Sequence, residues 1–92
     1  MIVRIATEGQ YELPDADQSE LNEIDNRVVA AVEADDEDRF HEVFEEMINL
    51  VRTDGERLGE DELEESDVIL PPPDLSFSEA HLEFSGDGLI PD

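Results

Sequence analysis

The sequence contains no cysteine, no tryptophan and no lysine. Without cysteine, disulfide scaffolds and thiolate zinc sites are excluded. Without lysine, every basic side chain is an arginine: Arg4, Arg27, Arg39, Arg52 and Arg57 stand against 28 carboxylates, for a net charge of −23. A nucleic-acid binder needs clustered cations to displace phosphate counterions, and direct attraction to anionic lipid needs the same. Neither is available here. Apolar runs are also short: the longest, Val28 to Val32, is far below the roughly 20 residues that cross a bilayer. The start, Met1-Ile2-Val3-Arg4, has neither a long apolar stretch nor a small-residue cleavage site, so no signal peptide is read there and a cytoplasmic location is expected.

What is present is a chain of 92 residues, 38% of them hydrophobic, enough for one domain over residues 1–92 with a small core. Its acidity has two readings. One is a nucleic-acid mimic that binds a basic DNA-binding partner. The other is adaptation to molar intracellular salt, where carboxylates retain hydration and lysine is avoided. Acidity covers every segment instead of one face, which favours salt adaptation and an extreme halophile as the source. At about 1 M salt the Debye length falls to about 3 Å, and repulsion among the carboxylates is screened.

The pattern of residues predicts an α+β fold. Ile2-Val3-Arg4-Ile5-Ala6 and Tyr11-Glu12-Leu13 read as a β-hairpin around Thr7-Glu8-Gly9-Gln10, with the glycine taking positive φ and Pro14 ending the second strand. Asp17 and Glu20 have the spacing of an N-terminal cap pair. Leu21, Ile24, Val28, Ala31 and Val32 follow as one narrow helical stripe, with Asp25 and Asn26 outside it. Ala34-Asp35-Asp36 breaks the helix. A second helix carries the clearest periodicity, Phe40, Val43, Phe44, Met47, Ile48 and Val51, with acids at its start, Arg52 opposing the carbonyl dipoles at its end, and Gly55 as its stop. So short a link makes the two helices antiparallel. Glu60 to Glu65 reads as an acidic surface loop or a frayed turn, Val68-Ile69-Leu70 as a candidate third strand halted by Pro71-Pro72-Pro73, and Ser76 with Glu79 as the cap of a short C-terminal helix closing at Gly86.

Catalytic signals are weak by comparison. His41 and Glu45 lie one helical turn apart, but two ligands do not make a metal site. Asp35-Asp36-Glu37-Asp38 lacks the alternation and central glycine of a calcium loop. Gly86-Asp87-Gly88 is too short to cradle phosphate. No serine has a plausible histidine and acid neighbourhood, and without cysteine no activated nucleophile is evident. The reading is of a non-enzymatic chain with no cofactor and no metal. The candidate contact residues are apolar or amphipathic instead: Gln10 and Tyr11 on the hairpin, and Leu89 and Ile90 near the C-terminal end.

Several segments then add up to a resemblance. Ile2-Val3-Arg4-Ile5, Gly9-Gln10-Tyr11 and Leu21-Asn22-Glu23-Ile24-Asp25 resemble the opening of the phage-shock-protein-A-associated (PspAA) family. Ser66-Asp67-Val68-Ile69-Leu70-Pro71-Pro72 and Gly86-Asp87-Gly88-Leu89-Ile90-Pro91 resemble its second half. The match is collinear across nearly the whole chain. The resemblance implies a small cytoplasmic protein linked to phage shock protein A, a long helical protein that remodels membranes in envelope stress. The reading that follows is a non-enzymatic adaptor that binds this coiled-coil partner. The scarcity of cations and the shortness of the apolar runs speak against direct nucleic-acid binding and membrane insertion. The resemblance carries over no catalytic residue, and the departure from the family pattern is the heavier acidity.

The net charge of −23 makes folding depend on salt, because self-repulsion opposes compaction until it is screened. Circular-dichroism melts from dilute to molar potassium chloride will show a rising Tm. A flat or falling Tm would contradict the salt-adapted reading.

Overall fold

Val3 and Ile5 point to one side of an extended segment and Arg4 to the other, and this alternation builds β1 (Ile2–Ile5) in a computed structural model of the chain, which describes residues 1–59, 61 and 64–84. β2 (Gly9–Glu12) returns antiparallel with Val3 opposite Tyr11 and Ile5 opposite Gly9. The turn between them is tighter than the sequence suggests. Gly9 has φ +146°, but Thr7 also enters the left-handed region at φ +69°, so part of the turn's strain falls on a β-branched residue. The Glu8 N–H donates to the Ile5 carbonyl at 3.0 Å, and the Leu13 N–H donates to the Met1 carbonyl at 2.8 Å beyond the strand ends.

After Pro14, a 3₁₀ turn (Asp15–Asp17) leads into α1 (Gln18–Glu33). The expected Asp17–Glu20 cap does not form as a capping box. Asp17 is itself helical (φ −90°, ψ −4°) and its side chain makes no capping bond, because a cap needs an extended backbone to aim its oxygen at the following N–H groups. The apolar stripe of α1 is also wider than expected. Val29 is buried with Leu21, Ile24, Val28, Ala31 and Val32, and so is Asp25, at 0% exposure. The Asp25 carboxylate is not left without a partner, as a buried charge requires.

Asp35 closes α1 in the left-handed region (φ +58°), which a short polar side chain tolerates. Asp36 then caps α2 (Glu37–Asp54), its Oδ1 accepting from the Arg39 N–H at 3.1 Å. All six residues of the predicted stripe are buried. The helices run antiparallel: Arg27 of α1 forks onto Glu46 of α2 at 3.2 and 3.1 Å, and Asp17 at the start of α1 meets Asp54 at the end of α2. Gly55 does follow α2, but with an extended backbone (φ −84°, ψ 150°). A side chain there would come within 2.4 Å of the Val51 carbonyl oxygen and 3.0 Å of Tyr11 Cβ. The glycine is needed for close approach and not for a left-handed cap.

Two further strands complete the sheet. β3 (Glu56–Arg57) pairs antiparallel with β2, and β4 (Val68–Leu70) pairs parallel with β1, giving the order β3-β2-β1-β4. Pro71 and Pro72 follow, and α3 (Phe77–Glu83) begins at Ser76, whose Oγ accepts from the Glu79 N–H at 3.3 Å and donates to the Glu79 carboxylate at 2.9 Å. The predicted closure at Gly86 lies outside the described residues. One face of the sheet supplies Val3, Ile5, Tyr11, Leu13, Val68 and Leu70 to a core shared with α1 and α2, which α3 closes with Ala80 and Phe84.

Phe44 lies where these layers meet. It is 3% exposed, stacks on Phe40 at 5.4 Å and meets Phe84 edge-on at 5.8 Å. Truncating a buried phenylalanine costs about 3–5 kcal/mol against a domain stability of roughly 5–15 kcal/mol. Phe44→Ala will therefore largely unfold the chain at moderate salt. Wild-type amide dispersion in its NMR spectrum would show that the aromatic layer is dispensable.

Candidate functional site

The hairpin turn carries the densest polar constellation among the described residues. Glu8 sits at its tip. From the last turn of α2, Arg52 donates through Nε to Glu8 Oε2 at 2.9 Å and through its terminal nitrogen to Glu8 Oε1. The Tyr11 hydroxyl donates to the same Oε2 at 2.8 Å, and Arg57 of β3 donates to the Glu8 backbone carbonyl at 2.8 Å. Arg52 therefore does more than oppose the α2 carbonyl dipoles: it ties helix to hairpin, while Arg57 ties in the edge strand. The Arg52 hydrogen bonds hold the Glu8 carboxyl at about 2, against the upward push of partial burial, with help from the Tyr11 hydroxyl and the charges of Arg52 and Arg57. Burial and the same hydrogen bond raise the Tyr11 phenol.

This arrangement turns Tyr11 inward. It is 7% exposed and belongs to the core, so it is not the exposed contact anchor that its position on a hairpin suggested. Gln10 is buried as well, at 3%. The pleat puts it on the outer face of the sheet opposite Arg4, but the chain near residues 64–66 covers it. Its Nε2 donates to the Glu64 carbonyl and, at 2.7 Å, to Ser66 Oγ, while its Oε1 accepts from the Glu64 N–H at 3.1 Å. The side-chain amide thus stands in for a strand backbone, and the end of the predicted acidic loop is anchored to the sheet. Both residues organise a surface from beneath instead of forming it. Leu89 and Ile90 lie outside the described residues.

The other sequence candidates are not drawn into one place. His41 pairs with Glu37 at 3.7 Å and packs its ring against Phe40, while it lines a shallow groove on α2 with Glu45, Asn49 and Pro73. His81 faces Asp35 at 3.5 Å and packs edge-on against Phe77. Asp35 and Asp36 are used in the α1–α2 link. Among the described residues, no group of three histidine or acidic side chains converges as a metal site. No helix among them is long and apolar enough to cross a membrane. Among the described residues, the exposed large apolar side chains are Ile69 on β4, at 61%, and Leu82 on α3, at 82%. Ile69 reads in the sequence only as part of a strand; its exposure follows from β4 lying at the sheet edge with its middle residue pointing away from the helices.

A comparison with protein-family models matches the PspA-associated protein family over residues 1–92. Neither the curated proteins nor the solved structures show a significant match.

The Glu8 constellation makes a pH prediction with a definite sign. A carboxyl held at about 2 in the folded chain, below its unfolded value, contributes stability that is fully present above the unfolded carboxylate range and is lost as pH falls through about 2. The Tm difference between the wild type and Glu8→Gln will be largest above about pH 5 and will vanish toward pH 2. A constant difference across that range would show that the Glu8 charge is not what ties the turn to α2.

Proposed function

The chain belongs to the PspA-associated protein family, and from that membership we propose that it is a non-enzymatic adaptor that binds a phage-shock-protein-A-like helical protein and tunes that protein's assembly at membranes. The family match over residues 1–92 is the observation that carries this reading. The use made of the polar residues supports it. Glu8, Gln10, Tyr11, Arg52 and Arg57 are engaged in joining elements of the fold, while the apolar side chains of Ile69 and Leu82 are exposed. In molar salt recognition through apolar side chains has a physical advantage. Long-range steering is screened, so affinity comes from buried apolar area, with short-range charge pairs setting register.

The test is capture of the purified phage-shock-protein-A-like protein from the same cells across the range of potassium chloride in which circular dichroism shows the chain folded. Binding will persist at molar salt. Replacing Glu62, Glu64 and Glu65 with glutamine will change affinity by no more than about twofold, as expected for solvated charges that salt already screens. Leu89→Ala will weaken binding. Binding that collapses with salt and with the glutamine set, while Leu89→Ala is neutral, would overturn the adaptor reading in favour of a nucleic-acid mimic.

A further inference from the structure

The outer face of the sheet has an uneven cover. Helices α1 and α2 occupy the inner face, and the chain near residues 64–66 lies over Gln10 on β2. At β1 and β4, by contrast, Arg4 and Ile69 stand side by side as register partners, both exposed, with half-buried Ile2 on the same face.

Arg4 is the unusual member. Four arginines have their guanidinium groups engaged: Arg27 with Glu46, Arg39 with Glu42, Arg52 with Glu8, and Arg57 with the Glu8 carbonyl. Among the described residues the Arg4 guanidinium makes neither an ion pair nor a hydrogen bond. The chain has 28 carboxylates, and one of them, Glu12, projects from the same sheet face opposite Ile2. An arginine with no carboxylate on it among the described residues, between two isoleucines, is complementary to a carboxylate brought from outside on an apolar surface.

The β4 edge narrows the shape of the occupant. The Ala6 N–H donates to the Leu70 carbonyl at 3.0 Å. This phase of the parallel ladder uses the backbone of Val68 and Leu70 toward β1 and leaves the Ile69 N–H and C=O facing outward. Only that one residue of the three-residue strand offers both groups, and Pro71 next to it has no N–H. Strand addition would gain little there. The face is better matched by side chains from a helix that presents a carboxylate one turn from a branched apolar residue.

We infer that the face formed by Ile2, Arg4 and Ile69 is the docking surface for a helix of the phage-shock-protein-A-like partner, with a partner carboxylate on Arg4 and a partner apolar side chain on Ile69. This rests on the adaptor reading and specifies its surface and its partner chemistry. A charge pair at contact distance, with Ile69 excluding water beside it, keeps its interaction within even the short Debye length of molar salt.

The experiment measures binding of the full chain to the purified partner by isothermal titration in molar potassium chloride, with circular dichroism confirming the fold of each variant. Arg4→Glu and Ile69→Ser will each weaken binding by about tenfold or more, the range of a central interface residue. Arg4→Lys will recover part of the loss, and Leu82→Ser, remote on α3, will match the wild type. No binding by the wild type would overturn both the adaptor reading and this inference. Wild-type binding that Arg4→Glu and Ile69→Ser leave unchanged would overturn this surface alone and leave the adaptor reading standing. Loss in Ile69→Ser with Arg4→Glu unaffected would overturn the carboxylate pairing. If sedimentation shows a dimer of the chain that both variants dissolve, the face belongs to a second copy, and that result also overturns the inference.

Discussion

Everything in this fold is built under one constraint: 28 carboxylates and five arginines share a chain of 92 residues. Cations are too few to neutralise the surface, so their placement matters more than their number. Arg27 joins α1 to α2, Arg52 joins α2 to the hairpin turn, and Arg57 joins β3 to the same turn. Glu8 receives two of these three connections. A single residue thereby becomes the point where helix, hairpin and edge strand are held together, its carboxylate taking Arg52 and its backbone carbonyl Arg57. The strongly depressed pKa of the carboxyl records chiefly the Arg52 hydrogen bonds. The opposite case lies at the start of α1, where a hydrogen bond that the protonated Asp17 carboxyl gives to Asp54, with partial desolvation and the charge of Asp54, raises the Asp17 carboxyl. Two acids crowd there with no arginine between them.

Under that charge the apolar core must be continuous, and it is. Val3 and Ile5 of β1, and Leu13 just past β2, share a core with Leu21 and Val28 of α1 and Phe40, Val43 and Met47 of α2, all at 0% exposure. The sheet is thus committed on one side. Among the described residues, its other side is covered where Gln10 grips the chain near Glu64 and Ser66, while Arg4 and Ile69 are exposed. Interior packing and exposed surface follow from the same pleat: Val3 and Ile5 point in because Arg4 points out.

Much of this was readable from the residues. The stripe of α2, the acids at its start, the Ser76–Glu79 cap and the family resemblance each depend on neighbours in sequence, and each is present. What was not readable depends on distant partners. β3 is two exposed residues with no strand pattern, and it exists because Tyr11 and Glu12 offer it a ladder. Gly55 reads as a helix stop, but the close approach it permits involves Tyr11, 44 positions earlier, as well as the Val51 carbonyl. The burial of Gln10 depends on Glu64 and Ser66, and that of Tyr11 on Glu8 and the core. For this reason the hairpin residues that looked like contacts became supports. The exposed isoleucine, Ile69, lies inside what reads as an ordinary strand.

The central claim is that this acidic domain grips a helical partner through a small apolar and cationic face instead of through its carboxylates. Hydrogen–deuterium exchange of the chain with and without the phage-shock-protein-A-like protein, at molar salt, tests it most directly. The account predicts added protection in β1 and β4, including the outward-facing Ile69 amide. Protection that falls instead on the acidic outer surfaces of α1 and α2, or no change anywhere, would contradict it.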